Sequence, residues 1–213
     1  DNNLGIGKDA LNSNTTRDSN VAVGHEALLP NSTAGNNTAL GYQAGRTTAT
    51  GDSNTFVGQQ AGYSTVGNRN TFLGRFAGNA SNLAATQQNT FVGCFSGRYV
   101  TSGAKNSILG AYDGNQDGLD IRTLSNRIVL SDGDGNARGF YGNKTSASQP
   151  LWGFYNDEPQ WTVAAVNEHA SNPYGILIQY TGASPNNSSG NEFLYCYDSS
   201  PAARMVVRSN GDV

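Results

Sequence analysis

Long apolar runs are missing from this chain. No stretch of about 18 apolar residues exists, so no segment reads as a membrane-spanning helix. Charge is scarce too: charged residues make up 14% and the net charge is -3, which leaves no basic stripe for nucleic acid. Low net charge also argues against simple disorder, which usually pairs few apolar residues with many charges. There are only two cysteines, Cys94 and Cys196, far apart in sequence. Two thiols make no disulfide framework, and they read as unpaired. No leader peptide is legible and the first residue is Asp1, so the sequence reads as a fragment or a processed product. The two histidines, His25 and His169, are too few and too isolated to suggest catalysis. No nucleophile elbow and no phosphate loop are present.

What the chain has in excess is glycine and asparagine, with 27 and 26 of its 213 residues. Glycine is near twice its usual share of about 7%. Both residue types tolerate positive φ and supply tight corners. They recur in one short frame: Asn, a small or β-branched residue, an apolar residue, Val/Leu/Ile, then Gly. The frame closes at Gly7, Gly24, Gly41, Gly58, Gly74, Gly93 and Gly110, in steps of 17, 17, 17, 16, 19 and 17 residues. Such a period predicts a solenoid in which each coil touches only its neighbours. Each coil reads as a short strand, a glycine turn and a polar return, with strands stacked about 4.8 Å apart.

Side chains alternate along a strand. Phe56, Phe72, Phe91 and Ile108 therefore form one apolar ladder, and Val57, Leu73, Val92 and Leu109 another on the opposite face. A solitary solenoid needs only its inner face apolar, and an apolar ladder left in water marks an interface. The expectation is an oligomer in which one of the two ladders faces the symmetry axis. The alternative is a single wide coil enclosing both. The third residue after each closing glycine is small, from Ala10, Ala27, Ala44, Ala61 and Ala77 to Ser96, which predicts close backbone approach. The residue just after each glycine varies from Lys8 and His25 to Tyr42, Gln59, Arg75 and Cys94, which marks a solvent-facing position.

The frames Asn20-Val-Ala-Val-Gly24 and Asn37-Thr-Ala-Leu-Gly41 resemble the head repeats of trimeric autotransporter adhesins, and similar frames occur in bacteriophage tail fibres. The resemblance covers about half the chain. It implies left-handed parallel β-rolls with three chains side by side. The period here is longer than the common adhesin period, which implies larger loops.

The frame ends near Gly118. Ile128–Leu130 reads as a strand and Asp132-Gly-Asp-Gly135 as a turn. The Asp132-x-Asp134-x-Asn136 spacing suits calcium only superficially, because Asn143 stands where an EF-hand loop needs its bidentate Glu. After Phe140 the composition shifts toward aromatics, with both tryptophans and most tyrosines. Strands are expected at 175–180, 192–197 and 204–208, with a turn-rich loop at 182–190. The expected fold is all-β. A trimeric parallel β-roll or β-helix of about seven coils spans 1–118, a capping segment 119–139, and a small antiparallel β domain 140–213.

The segments Glu192-Phe-Leu-Tyr-Cys-Tyr-Asp198 and Arg204-Met-Val-Val-Arg-Ser-Asn-Gly-Asp-Val213 look like the distal part of phage tail fibres, especially those of marine and cyanobacterial phages. In that family Ser-Asn-Gly-Asp-Val lies just upstream of a C-terminal intramolecular chaperone, which assembles the trimer and then cuts itself off. The chain stops at Val213 without the chaperone's residues. The resemblance implies a homotrimer in the virion, a chaperone domain in the precursor, and binding to a bacterial surface polysaccharide or outer-membrane protein.

The expected function is thus structural and adhesive: a tail-fibre segment that recognises the host surface. Trp152, Trp161 and Tyr174 are the candidate receptor contacts, because aromatic side chains give large contact area at low entropic cost; the alternative is that these rings fill the core of an interdigitated trimer and the contact surface is the loop at 182–190. The alternatives are the head of a cell-anchored adhesin or a glycan-depolymerising tailspike. Asp157 and Glu158 are the adjacent carboxylates a tailspike would need a partner for. No catalytic residue, metal ligand or cofactor site is assigned.

Overall fold

The computed structural model describes residues 2–16, 18–80, 87–116 and 118–142, together with the backbone of strands at 151–154, 192–197 and 203–208. All regular structure among them is β. Seven three-residue strands open the chain: β1 (Leu4–Ile6), β2 (Val21–Val23), β3 (Thr38–Leu40), β4 (Thr55–Val57), β5 (Thr71–Leu73), β6 (Thr90–Val92) and β7 (Ser107–Leu109). Each pairs in parallel with the next, Phe56 beside Phe72 and Phe72 beside Phe91, so identical repeat positions stack. This is a β-solenoid of about seven turns.

A two-residue hairpin, β8 (Asn115–Gln116) and β9 (Leu119–Asp120), follows. The stack then resumes with β10 (Ile128–Ser131), parallel to β7. Here the direction reverses. β11 (Ala137–Gly142) and β12 (Leu151–Phe154) add antiparallel strands to the same sheet. β13 (Glu192–Tyr197) and β14 (Ala203–Arg208) form a separate antiparallel pair. Two compact units result, Asp1–Thr162 and Val163–Val213. The strand expected at 175–180 and the loop at 182–190 lie outside the described residues.

The core lies inside the coils. In every strand from β2 to β7 the middle residue is buried: Ala22, Ala39, Phe56, Phe72, Phe91 and Ile108. The three phenylalanines stack, with ring centroids 5.6 and 4.9 Å apart. Across the coil from them lies the fourth residue after each closing glycine, held at φ near +60°. It is Gly62, Gly78 and Gly97 where the strand carries Phe. A Cβ at Gly62 would overlap the Phe56 ring. Where the strand carries Ala22, the same turn position is Leu28, fully buried at φ 49°. Phe in the strand thus goes with Gly in the turn and Ala22 with Leu28, while in the coil of Ala39 and Gly45 the side chains of Leu28 and Phe56 reach in from the neighbouring coils and fill the space. The Ala27, Ala44, Ala61 and Ala77 slot is fully buried, as expected from the close approach of coils.

The closing glycines are forced by geometry. Gly58 has φ +129°, and a Cβ there would sit 2.6 Å from the carbonyl oxygen of Gly74 in the next coil.

The frame's asparagine is a core residue. Asn20, Asn37, Asn54, Asn70, Asn89 and Asn106 are buried. From Asn20 to Asn89 each side-chain oxygen accepts the backbone N–H of the next asparagine, as Asn37 does from Asn54 at 2.8 Å, Asn54 from Asn70 at 2.9 Å and Asn70 from Asn89 at 3.0 Å. The side-chain amide donates to a loop carbonyl, as Asn37 does to Gly51 at 2.8 Å and Asn89 to Gly103 at 2.9 Å. One side chain thus satisfies a strand-entry N–H and a loop carbonyl that would otherwise be buried unpaired.

Candidate functional site

Because the middle strand residue points inward, the first and third point outward. The third positions make a continuous apolar ladder on the outer strand face: Ile6, Val23, Leu40, Val57, Leu73, Val92, Leu109 and Leu130. Its leucines are open to solvent in the single chain, with Leu40 47%, Leu73 37% and Leu109 57% exposed. The two ladders expected from sequence therefore separate. Phe56, Phe72, Phe91 and Ile108 fill the coil interior, while Val57, Leu73, Val92 and Leu109 lie outside it. A coil wide enough to enclose both is not what forms.

A second surface ladder runs along the turns. The residues just after the closing glycines are largely exposed, as their variety predicts, yet they are organised. His25 stacks on Tyr42 with centroids 5.5 Å apart and rings 9° from parallel. At the next position, Gln43 donates to Glu26 at 2.7 Å and Gln60 to Gln43 at 2.7 Å. Higher up, Phe76 stacks on Phe95 at 5.5 Å. Arg75 lies 4.4 Å over Phe76, and Arg98 lies over Phe76, Phe95 and Tyr99 at 5.1–5.2 Å. Tyr99, 44% exposed, stands between two clefts. One, of about 230 Å³, is lined by Phe95, Arg98, Tyr99, Asp113, Gln116 and Asp134 among others. The other includes Asp120 and Arg122, whose ion pair measures 2.7 Å.

Several charged groups near this face form ion pairs. Arg46 donates to Glu26 at 2.8 Å, and that hydrogen bond, with the one from Gln43, holds the Glu26 carboxyl below its ordinary range. Arg122 does the same for Asp120. In the turn between β10 and β11, Asp132 accepts the backbone N–H groups of Asp134 and Asn136, the side-chain amide of Asn136, and Arg138 at 2.8 Å. These bonds, led by that from the Asn136 side chain, lower its pKa to about 2. Asp132 thus spends its oxygens on organising a tight turn, the role the sequence favours over calcium.

Of the candidate receptor contacts, Trp152 falls on β12, with its backbone paired to Tyr141. Trp161 and Tyr174 lie outside the described residues, as do Asp157, Glu158 and His169. Tyr99, Phe76 and Phe95 were not singled out from sequence. Their signal is only visible once residues 17 or so apart are read as neighbours. Asp9, His25 and Glu26 converge in the same way, with one ligand atom from each lying within 4.8 Å of the others. No protein-family model, no curated protein and no solved structure matches this chain.

Proposed function

We propose that this chain is a segment of a trimeric, adhesive fibre of the bacteriophage tail-fibre kind, carried on the virion and used to recognise a bacterial surface. The observation that carries this reading is the outer apolar ladder. It runs in register along the whole stack, and an exposed apolar patch of that continuity is the mark of an interface. A second copy of the same ladder is its natural complement, since both have the same spacing and the same small set of side chains. Three copies around one axis bury all three ladders at once, the arrangement that the resemblance to adhesin heads and tail fibres implies.

The experiment is sedimentation of the chain in native buffer. Three times 22.4 kDa is expected. Leu40→Glu together with Leu109→Glu places a charge on each of two rungs and should give the single-chain mass with the β spectrum retained. A wild-type chain that sediments at 22.4 kDa overturns the trimer. Host recognition is tested separately, by blocking phage adsorption to host cells with the purified chain. Trp152, Trp161 and Tyr174 remain the proposed contacts, and Tyr99 with its flanking clefts joins them. Receptor contacts lose adsorption on substitution by Ala while the trimer keeps its Tm. The receptor class is a surface polysaccharide or an outer-membrane protein. Solid-phase binding to extracted polysaccharide and to outer-membrane protein separates the two.

A further inference from the structure

The ladder two residues past the closing glycines runs Asp9, Glu26, Gln43, Gln60. Its coils are in backbone register: Glu26 N–H donates to Lys8 at 2.9 Å, Gln43 N–H to His25 at 2.9 Å, and Gln60 N–H to Tyr42 at 2.9 Å. Above Glu26 the next two rungs are each bridged by a side-chain amide that donates to the acceptor below. The rung between Asp9 and Glu26 has no such donor. Two carboxylates face one another there, two acceptors with no donor of their own, and a bound cation is one way to bridge them. His25 stands beside them. Its Nδ1 is buried and has no hydrogen-bond partner, which is costly for a ring nitrogen unless something electrophilic meets it. Its ring is held in place by stacking on Tyr42.

We propose that Asp9, His25 and Glu26 bind a divalent transition cation of the zinc class, which closes this first rung of the turn ladder. One imidazole nitrogen and two carboxylate oxygens are ligands of the kind zinc takes, and three protein ligands leave one position open to water or to an outside group. The imidazole disfavours calcium and magnesium, which take oxygen ligands only. Ligand atoms that share one ion at about 2 Å lie within about 4 Å of each other, and these three already lie within 4.8 Å, so a small side-chain adjustment closes the site. Glu26 is aligned for this. Its Oε2 is engaged by Gln43 and Arg46, which fixes the carboxylate plane and leaves Oε1 to the cation. Asp9 must give up Lys8, whose ammonium lies 3.9 Å away on a side chain 77% exposed.

The test is calorimetric titration of Zn²⁺ into the full chain after chelator treatment, with Mg²⁺ as the hard-cation comparison. One Zn²⁺ per chain is expected at this site, no Mg²⁺ heat, and a Tm raised by Zn²⁺. His25→Ala should abolish that binding event. Asp9→Asn should weaken it by at least the roughly tenfold that losing even an outer-shell partner costs. Both residues are partly exposed, and both variants should keep the wild-type Tm in chelator, which separates lost binding from lost fold. An absence of Zn²⁺ binding by the wild type overturns the proposal, as does a titration that neither substitution changes. The fibre reading is untouched by either result, because the oligomer is measured in chelator.

Discussion

The side-chain oxygen of Asn37 accepts the backbone N–H of Asn54, one coil on, at 2.8 Å, and both residues are buried. The same bond recurs at every coil boundary through Arg127, whose backbone N–H meets Asn106 at 2.9 Å. It closes the one place in each coil where strand hydrogen bonding has not yet begun. In the buried, low-dielectric coil such bonds are stronger than in water, and a member left unpaired is correspondingly costly.

Asn54→Ala should therefore be among the most destabilising of polar substitutions. It strands the N–H of Asn70 and the carbonyl of Gly67 inside the coil. At roughly 1–3 kcal/mol for each of the two unpaired groups, the loss is about 2–6 kcal/mol. The exposed Asn12→Ala should stay within about 0.5 kcal/mol of wild type. Denaturant titration of both variants measures the difference, and equal midpoints would remove the asparagine ladder from the account.

The size exchange between strand and turn makes a coupling prediction. Phe56→Ala alone should cost about 3–5 kcal/mol. Gly62→Leu alone should overpack the coil against the Phe56 ring and cost about 1–3 kcal/mol or more. Together they copy the Ala22 and Leu28 pair that one coil already uses. The double variant should be more stable than the sum of the two losses by about 0.5–3 kcal/mol. Strict additivity in a double-mutant cycle would refute the exchange.

Inward and outward positions should respond in opposite ways to the same charge. Phe72 is fully buried, so Phe72→Asp introduces an unpaired carboxylate into an apolar interior at a cost of several kcal/mol. Gln59 is exposed and already accepts from Arg75 at 3.1 Å. Gln59→Asp keeps an acceptor there and should be tolerated. Thermal melts of the two variants check this, and similar Tm values would contradict the assignment of faces.

Asp132 makes stability depend on acid. Its folded pKa of about 2 lies below the ordinary value of 3.8. A carboxyl depressed on folding stabilises the native state fully above its unfolded pKa, and that contribution disappears as pH falls through the folded one. Tm should thus be flat in this respect above about pH 5 and drop between there and pH 2. Asp132→Asn should lower Tm at neutral pH and shrink the acid drop. An unchanged acid limb in that variant would assign the drop to other carboxylates.

The repeat was legible because its cause is local and periodic. Closing glycines seventeen or so apart, a small residue three positions later and an alternating triplet before each glycine sufficed for a parallel β-solenoid. The strand at Ile128–Leu130 and the pair at 192–197 and 203–208 were legible for the same reason, as short apolar runs bounded by turns. What the sequence left open was anything that depends on which residues meet across coils. Period-2 alternation sorts Phe56 and Val57 onto opposite faces but cannot say which face closes on itself. Coil closure decided it, because the ring of Phe56 fits over Gly62 and that of Phe72 over Gly78. The asparagines read as turn formers and proved to be core hydrogen-bonders, since their partners lie a full coil away. Asp9 and His25 are sixteen positions apart in the chain and neighbours in the fold. Stacking in register is what makes them so, and a linear sequence carries the register only once the coil's circumference is known.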